Sequence, residues 1–165
     1  MQPETLIRPC VHADVARVCE IYNHYVRETV VTFEEDPVGA GEMARRIAEV
    51  RKRFPWLIVE AQGRIAGYAY ASLWKARSAY RFAVESTIYL APECLGLRLG
   101  SSLYAALLEA LADCDVHRVV GAIALPNAAS VALHERLGFR KIGIFEEVGW
   151  KLGRWVDVGY WELAL

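Results

Sequence analysis

The 165 residues predict an α/β protein of one domain, built on a mixed sheet with helices on both faces. Three observations carry this expectation. Between Glu85 and Leu111, Ser86, Ile88 and Leu90 alternate with Thr87 and Tyr89, the chain breaks at Pro92 and Gly96, and a helical period resumes at Leu99. That pattern is strand, loop, helix. Arg118 to Leu125 follows as a continuously apolar run, as expected of a strand covered on both faces and reached by a right-handed parallel crossover. Upstream, Trp56 to Ala61 and Arg64 to Leu73 flank Gln62-Gly63, the signature of an antiparallel hairpin.

Composition narrows the function classes. An apolar fraction of 55% with 11% aromatics suits a packed core and excludes a disordered chain. A net charge of -1, with basic and acidic residues interspersed, supplies no field for nucleic acid or an anionic membrane. Cys10, Cys19, Cys94 and Cys114 show no C-x-x-C spacing, and no signal peptide or long apolar span is apparent. A reducing cytoplasmic location with buried thiols is expected, without a metal site.

In chain order, Thr5 to Arg8 forms a short strand closed by Pro9. A helix follows with Val15, Val18, Cys19, Tyr22 and Tyr25 on one face. The β-branched run Thr29 to Thr32, ending at Phe33, resists helix, so a loop forming a pocket wall is expected there. His24, alone near the helix end, reads as structural. A second helix spans about Gly41 to Arg53, where Glu42 and Glu49 interleave with the arginines to make a solvated face. After the hairpin and the central strand, the central helix turns Leu103, Leu107, Leu108 and Leu111 to the sheet. A further helix is capped by Asn127, carries Val131, His134 and Leu137, and closes at Gly138. Strands at about Arg140 to Glu147 and Arg154 to Leu163 end the chain. There is no repeat or linker.

The loop between central strand and central helix is a candidate anion site, because helix N-termini present unpaired N–H groups and a positive dipole end. It lacks the Gly-Lys-Ser/Thr ending of a nucleoside triphosphate loop and the three spaced glycines of a dinucleotide fingerprint. Just ahead of the central strand, Trp74 to Glu85 interleaves Lys75, Arg77 and Arg81 with Trp74, Tyr80 and Phe82. This mixture suits the clamping of a small anion beside apolar walls.

The element order resembles that of the GCN5-related N-acetyltransferases, over essentially the whole chain. More narrowly, IYNHYV with Thr29, Thr32 and Phe33, WKAR with Tyr80 and Glu85-Ser86-Thr87, LPN with Ser130 and His134-Glu135, and Lys151, Gly153, Trp155 and Asp157-Val158 resemble the phosphinothricin acetyltransferase branch. The resemblance implies the family's fold, with the sheet splayed between its fourth and fifth strands. It also implies transfer of acetyl from acetyl-CoA to the amino group of a small amino-acid-like compound such as phosphinothricin, methionine sulfone or methionine sulfoximine. A detoxifying or resistance role and a homodimer are implied too.

Residue roles follow by chemistry and resemblance together. A protonated amine must lose a proton before attack, which makes Glu85 the expected base, directly or through water. Phe33, Lys75, Ala76, Arg77, Tyr80, Ser86 and Thr87 are expected around the acceptor. Backbone of Ile88, Tyr89 and Leu90 would pair with the pantetheine arm and stabilise charge on the thioester oxygen. Leu95, Gly96, Leu97, Arg98, Leu99, Gly100 and Ser101 would hold the pyrophosphate, with Asn127 and Ser130 on the pantetheine side. His134 is either the proton donor to the departing thiolate or a satisfied interior histidine. The loop departs from the family's Gln/Arg-x-x-Gly-x-Gly/Ala pattern at Leu95 and Arg98, and Arg98 is expected to offset its strain with charge toward the phosphates. Two other classes stay open: an acetyltransferase acting on protein N-termini or lysines, and a non-catalytic CoA-binding regulator.

Overall fold

A computed structural model describes residues 5–165. Its elements run β1 (Thr5–Pro9), α1 (Val15–Glu28), α2 (Ala40–Arg51), β2 (Trp56–Ala61), β3 (Arg64–Leu73), β4 (Ala83–Leu90), α3 (Leu99–Ala112), β5 (Arg118–Leu125), α4 (Ala128–Arg136), β6 (Arg140–Lys151) and β7 (Arg154–Ala164). The seven strands make one sheet in the order β1-β2-β3-β4-β5-β7-β6. All neighbours are antiparallel except β4 and β5.

Each face carries its own core, because strand side chains alternate between faces. On one side Val18, Ile21, Tyr22 and Val26 of α1 pack with Trp56, Ile58 and Tyr68. On the other, Leu103, Tyr104, Leu107 and Leu111 of α3 pack with Val84, Val119, Phe139 and Trp161. Helix α1 stops where the β-branched run begins, and the Thr29 hydroxyl closes it by donating to the Tyr25 carbonyl at 2.8 Å.

Three boundaries differ from the sequence pattern. Helix α2 ends at Arg51, before Lys52 and Arg53. The central strand begins at Ala83, ahead of Glu85. Strand β6 continues past Glu147 to Lys151, because a register shift between Phe145 and Gly149 absorbs the acidic Glu146-Glu147 step, with Glu147 at φ 49°. The hairpin closes through Leu152 and Gly153, both at positive φ. Strand β5 is not covered throughout, since Ala122 is exposed. The tryptophans divide: Trp161 is core, whereas Trp150 and Trp155 are exposed on the last hairpin.

The parallel pairing that positions the site is short. β4 and β5 pair only at Ala83 with Arg118, Val84 with Val119 and Glu85 with Val120. Beyond Glu85 the two strands diverge, while β4 stays paired with β3 as far as Leu90. The sheet therefore opens into a cleft at its centre. At the apex the Ser86 hydroxyl reaches the Val120 carbonyl at 3.3 Å.

Candidate active site

A cavity of about 420 Å³ occupies the divergence between β4 and β5. Its walls include Glu85, Ser86, Thr87, Ile88 and Tyr89 of β4, Ala122 to Ala124 of β5, Asn127, Ser130 and His134, and Val31 to Phe33 of the loop after α1. Val148, Val158 and Tyr160 of the last hairpin complete it. The loop predicted to form a pocket wall does form one.

Glu85 sits at the apex. It is partly buried, and burial lifts its pKa above the usual carboxylate value, while the Lys75 charge pulls it back down. A carboxylate poised in that way accepts a proton more readily than an exposed one. The Tyr160 hydroxyl shares this neighbourhood: its pKa is raised by burial and by the Glu85 charge.

Ser86 borders the cavity with Glu85 and Thr87, but its hydroxyl is turned away from them. Period-two alternation turns it to the α3 face, where its hydroxyl lies 2.5 Å from the Tyr104 hydroxyl. The Tyr104 hydroxyl in turn lies 3.0 Å from His134 Nε2. His134 Nδ1 lies 2.8 Å from the Ser130 carbonyl. A carbonyl only accepts, so Nδ1 carries the proton and Nε2 accepts from Tyr104. The imidazole is buried, its pKa is lowered by burial, and it is neutral at pH 7. Of the two roles left open for His134, the geometry favours the satisfied interior histidine: its one proton is held by Ser130 and none is directed at the cleft. Gly121 makes room for the ring, since a Cβ there would fall 2.5 Å from Nε2.

The cofactor loop has the shape its glycine pattern only partly announces. Gly96 lies at φ 80°, and Arg98 takes the left-handed conformation at φ 61° as the residue preceding α3. No side chain caps α3, so its first-turn N–H groups are open to an anion. Leu95 and Leu97 are exposed, while Leu99 and Gly100 are buried. Asn127 caps α4, its side-chain oxygen accepting from the Ser130 N–H at 3.1 Å. Asn127 is also among the walls of the cleft.

The cationic segment stands apart. Lys75, Ala76, Arg77 and Tyr80 are exposed and are not among the cavity walls. Lys75 Nζ lies over the Trp74 ring at 5.2 Å, and Tyr80 meets Trp74 edge-on. The charge of Lys75 acts on Glu85 and so ties this segment to the apex. Sequence reasoning misses Tyr160 on the cavity wall, and Tyr104 and Gly121, which pack against His134 without lining the cavity. A hydroxyl-bearing ring on the apolar stripe of α3 needs a buried partner, and that was the available signal for Tyr104.

A sheet opened beside one strand, an uncapped helix behind a turn of positive φ, and a carboxylate at the apex define a groove for an extended arm ending in a phosphate group. The acetyltransferase (GNAT) domain model matches residues 7–159. The chain belongs to the GNAT acetyltransferase family. It is 44% identical to a phosphinothricin N-acetyltransferase from Streptomyces viridochromogenes over 156 residues, covering 94% of this chain and 85% of that protein. It is 34% identical to an L-methionine sulfoximine/L-methionine sulfone acetyltransferase from Salmonella typhimurium, covering 96% and 94%. The fold superposes with a TM-score of 0.95 on a GNAT superfamily phosphinothricin acetyltransferase from Sinorhizobium meliloti in complex with AcCoA, at 35% identity, covering 100% of this chain and 89% of that one.

The residues of this GNAT chain fit acetyl-CoA. The free flank of β4 can pair with an amide-bearing arm, and the α3 N-terminus can receive the pyrophosphate. Among the described residues no cluster of histidine, cysteine and carboxylate side chains could hold a metal ion.

Proposed function

We propose that this protein acetylates the α-amino group of a small amino-acid-like compound of the phosphinothricin, methionine sulfone or methionine sulfoximine class. The observation that carries the reading is the placement of Glu85 where the β4–β5 ladder ends, on the wall of the cavity between the two strands. Acetyl-CoA supplies the activated acyl group. Glu85 takes the proton from the incoming ammonium, directly or through one water. Backbone N–H groups within Ile88 to Leu90 that β3 does not use donate to the thioester oxygen as charge builds there. The α3 N-terminus and Arg98 hold the pyrophosphate, with Asn127 and Ser130 along the arm. Phe33 and Thr87 face the acceptor, and Lys75 and Arg77 meet its acid end from the rim. A thiol of pKa about 8.5 leaves as thiolate without a dedicated acid, so His134 acts by fixing the architecture.

The similarity to relatives named for phosphinothricin and methionine sulfoximine or sulfone argues for a free amino acid over a protein chain end. The role that follows is cytoplasmic detoxification. The single-domain chain pairs as a homodimer through the apolar outer hairpin, where Phe145 is 61% and Trp155 59% exposed at the sheet edge.

The test is release of CoA thiol with a panel of amino acids, comparing the native protein with Glu85→Gln. Turnover of the sulfone, sulfoximine or phosphinothricin, lowered about 100-fold or more by Glu85→Gln, is the expected result. Turnover untouched by that substitution would remove the base assignment.

A further inference from the structure

We propose that Lys151 is a positioning residue for the acceptor pocket: its buried ammonium holds the Thr32 carbonyl and so fixes the wall formed by Val31 to Phe33. The pocket assignment rests on the function proposed above. The fixing of the wall does not.

Lys151 is the last residue of β6 and is only 2% exposed. Its Nζ donates to the Thr32 carbonyl at 2.7 Å, joining segments 119 residues apart. A buried ammonium is expensive unless paired, and an apolar side chain of similar length would be cheaper to bury. Yet among the described residues no carboxylate forms an ion pair with it. Glu34 and Glu35 act on it only as nearby charges, and burial depresses its pKa. Such a group adds little to stability, so its value lies in what it holds.

Thr32 is held from two sides. Its hydroxyl meets the Tyr22 hydroxyl at 2.9 Å and neighbours that of Tyr89, while its carbonyl accepts from Lys151. Arg46 secures the following turn through Glu34, with contacts of 2.6 and 2.9 Å. Phe33 then lays its ring across Gly149, where any Cβ would overlap the ring edge. Gly149 and Lys151 are two residues apart on β6, so they share a face. One receives the ring and the other holds the carbonyl beside it. Val31, Thr32 and Phe33 line the same cavity as Glu85 and Thr87, and no residue of the first turn of α3 is among its walls. Displacing Thr32 therefore reshapes the acceptor end and leaves the cofactor end alone.

The experiment compares the native protein with Lys151→Met and Gly149→Ala by two readouts. The first is amide hydrogen exchange at Thr32 to Glu34. Lys151→Met should speed it about tenfold or more while β4 and α3 stay protected. The second is steady-state kinetics with methionine sulfone. Lys151→Met should raise the acceptor KM about tenfold with the acetyl-CoA KM within about twofold. Gly149→Ala, which pushes Phe33 toward the cavity without freeing Thr32, should shift preference toward shorter acceptors. Unchanged exchange at Thr32 to Glu34 in Lys151→Met would overturn the proposal. So would equal rises in both KM values, which would mark a general loss of structure. A native protein inert toward every amino acid would defeat the pocket assignment separately, because the exchange arm would still decide whether Lys151 fixes the loop.

Discussion

Replacing Tyr104 by Phe removes one oxygen from the centre of the buried chain that ties β4 to α4. The ring stays, so no large cavity opens, and the effect isolates the hydroxyl. In the native protein that hydroxyl bridges Ser86 Oγ at 2.5 Å and His134 Nε2 at 3.0 Å, with Tyr104 fully buried. Ser86 keeps the Val120 carbonyl at 3.3 Å, but His134 Nε2 is left as a buried acceptor without a donor. A lost hydrogen bond of about 1 kcal/mol plus an unsatisfied group of about 1–3 kcal/mol gives a destabilisation of about 2–4 kcal/mol. For a domain of this length that lowers Tm by about 4–16 °C. Urea unfolding and calorimetry measure it directly. Because Nδ1 of His134 gives its proton to Ser130, the chain carries no proton to the cleft, and kcat at 25 °C should stay within about threefold of native. General acid catalysis contributes about 10² or more. A Tyr104→Phe protein that melts normally, or that loses kcat by about 100-fold while folded, would refute the assignment of His134 as structural.

Other substitutions probe the remaining parts. Arg98→Gly relieves a left-handed residue and should stabilise the fold by up to about 1 kcal/mol, yet raise the acetyl-CoA KM about five- to tenfold; a KM at the native value would leave Arg98 without a role at the phosphates. Trp155→Glu on the outer hairpin should convert the dimer to monomer in sedimentation at micromolar concentration, and a native protein already monomeric would end that reading. The pH profile of kcat/KM should rise through a pKa above the usual glutamate value, because Glu85 acts only when ionised; loss of this limb in Glu85→Gln would assign it, and its persistence would point to another base.

The fold was legible where local chemistry decides. Alternation along Ser86 to Leu90, the helical period after Leu99 and the Gln62-Gly63 turn place their elements correctly. Acidic Glu146-Glu147 resembles a strand end, and only the bulge that accommodates it carries β6 to Lys151. The site was legible as a segment but less so as individual contacts. Glu85, Thr87, Phe33 and Asn127 line the cleft as expected. Ser86 also borders the cleft, but the alternation that identifies the strand turns its hydroxyl to Tyr104 on the α3 face. Sequence position suggests a clamp for the cations of Trp74 to Glu85, but they are exposed and outside the cavity walls. Tyr104, Gly121 and Lys151 depend on contacts between distant segments, for which no local period exists.

Three residues, Glu85 on the cleft wall, Arg98 before α3 and Lys151 behind the Thr32 loop, each contradict a local rule. Glu85 is a carboxylate held partly out of water, Arg98 a long side chain in a backbone region that suits glycine, and Lys151 an ammonium bonded to a neutral carbonyl. Each is a place where a different residue would stabilise the fold. The sign for Glu85 is explicit: a folded pKa above the unfolded one means its favourable contribution exists only below the unfolded value and is lost as pH rises through the folded one. At pH 7 the ionised group is therefore a net burden, and Glu85→Gln should melt higher than native while turning over more slowly. Opposite signs in stability and turnover at one position are what an active site predicts and a purely structural ion pair does not. Were Glu85 instead an ordinary partner of Lys75, its replacement would lower Tm, and the catalytic reading would lose its physical basis.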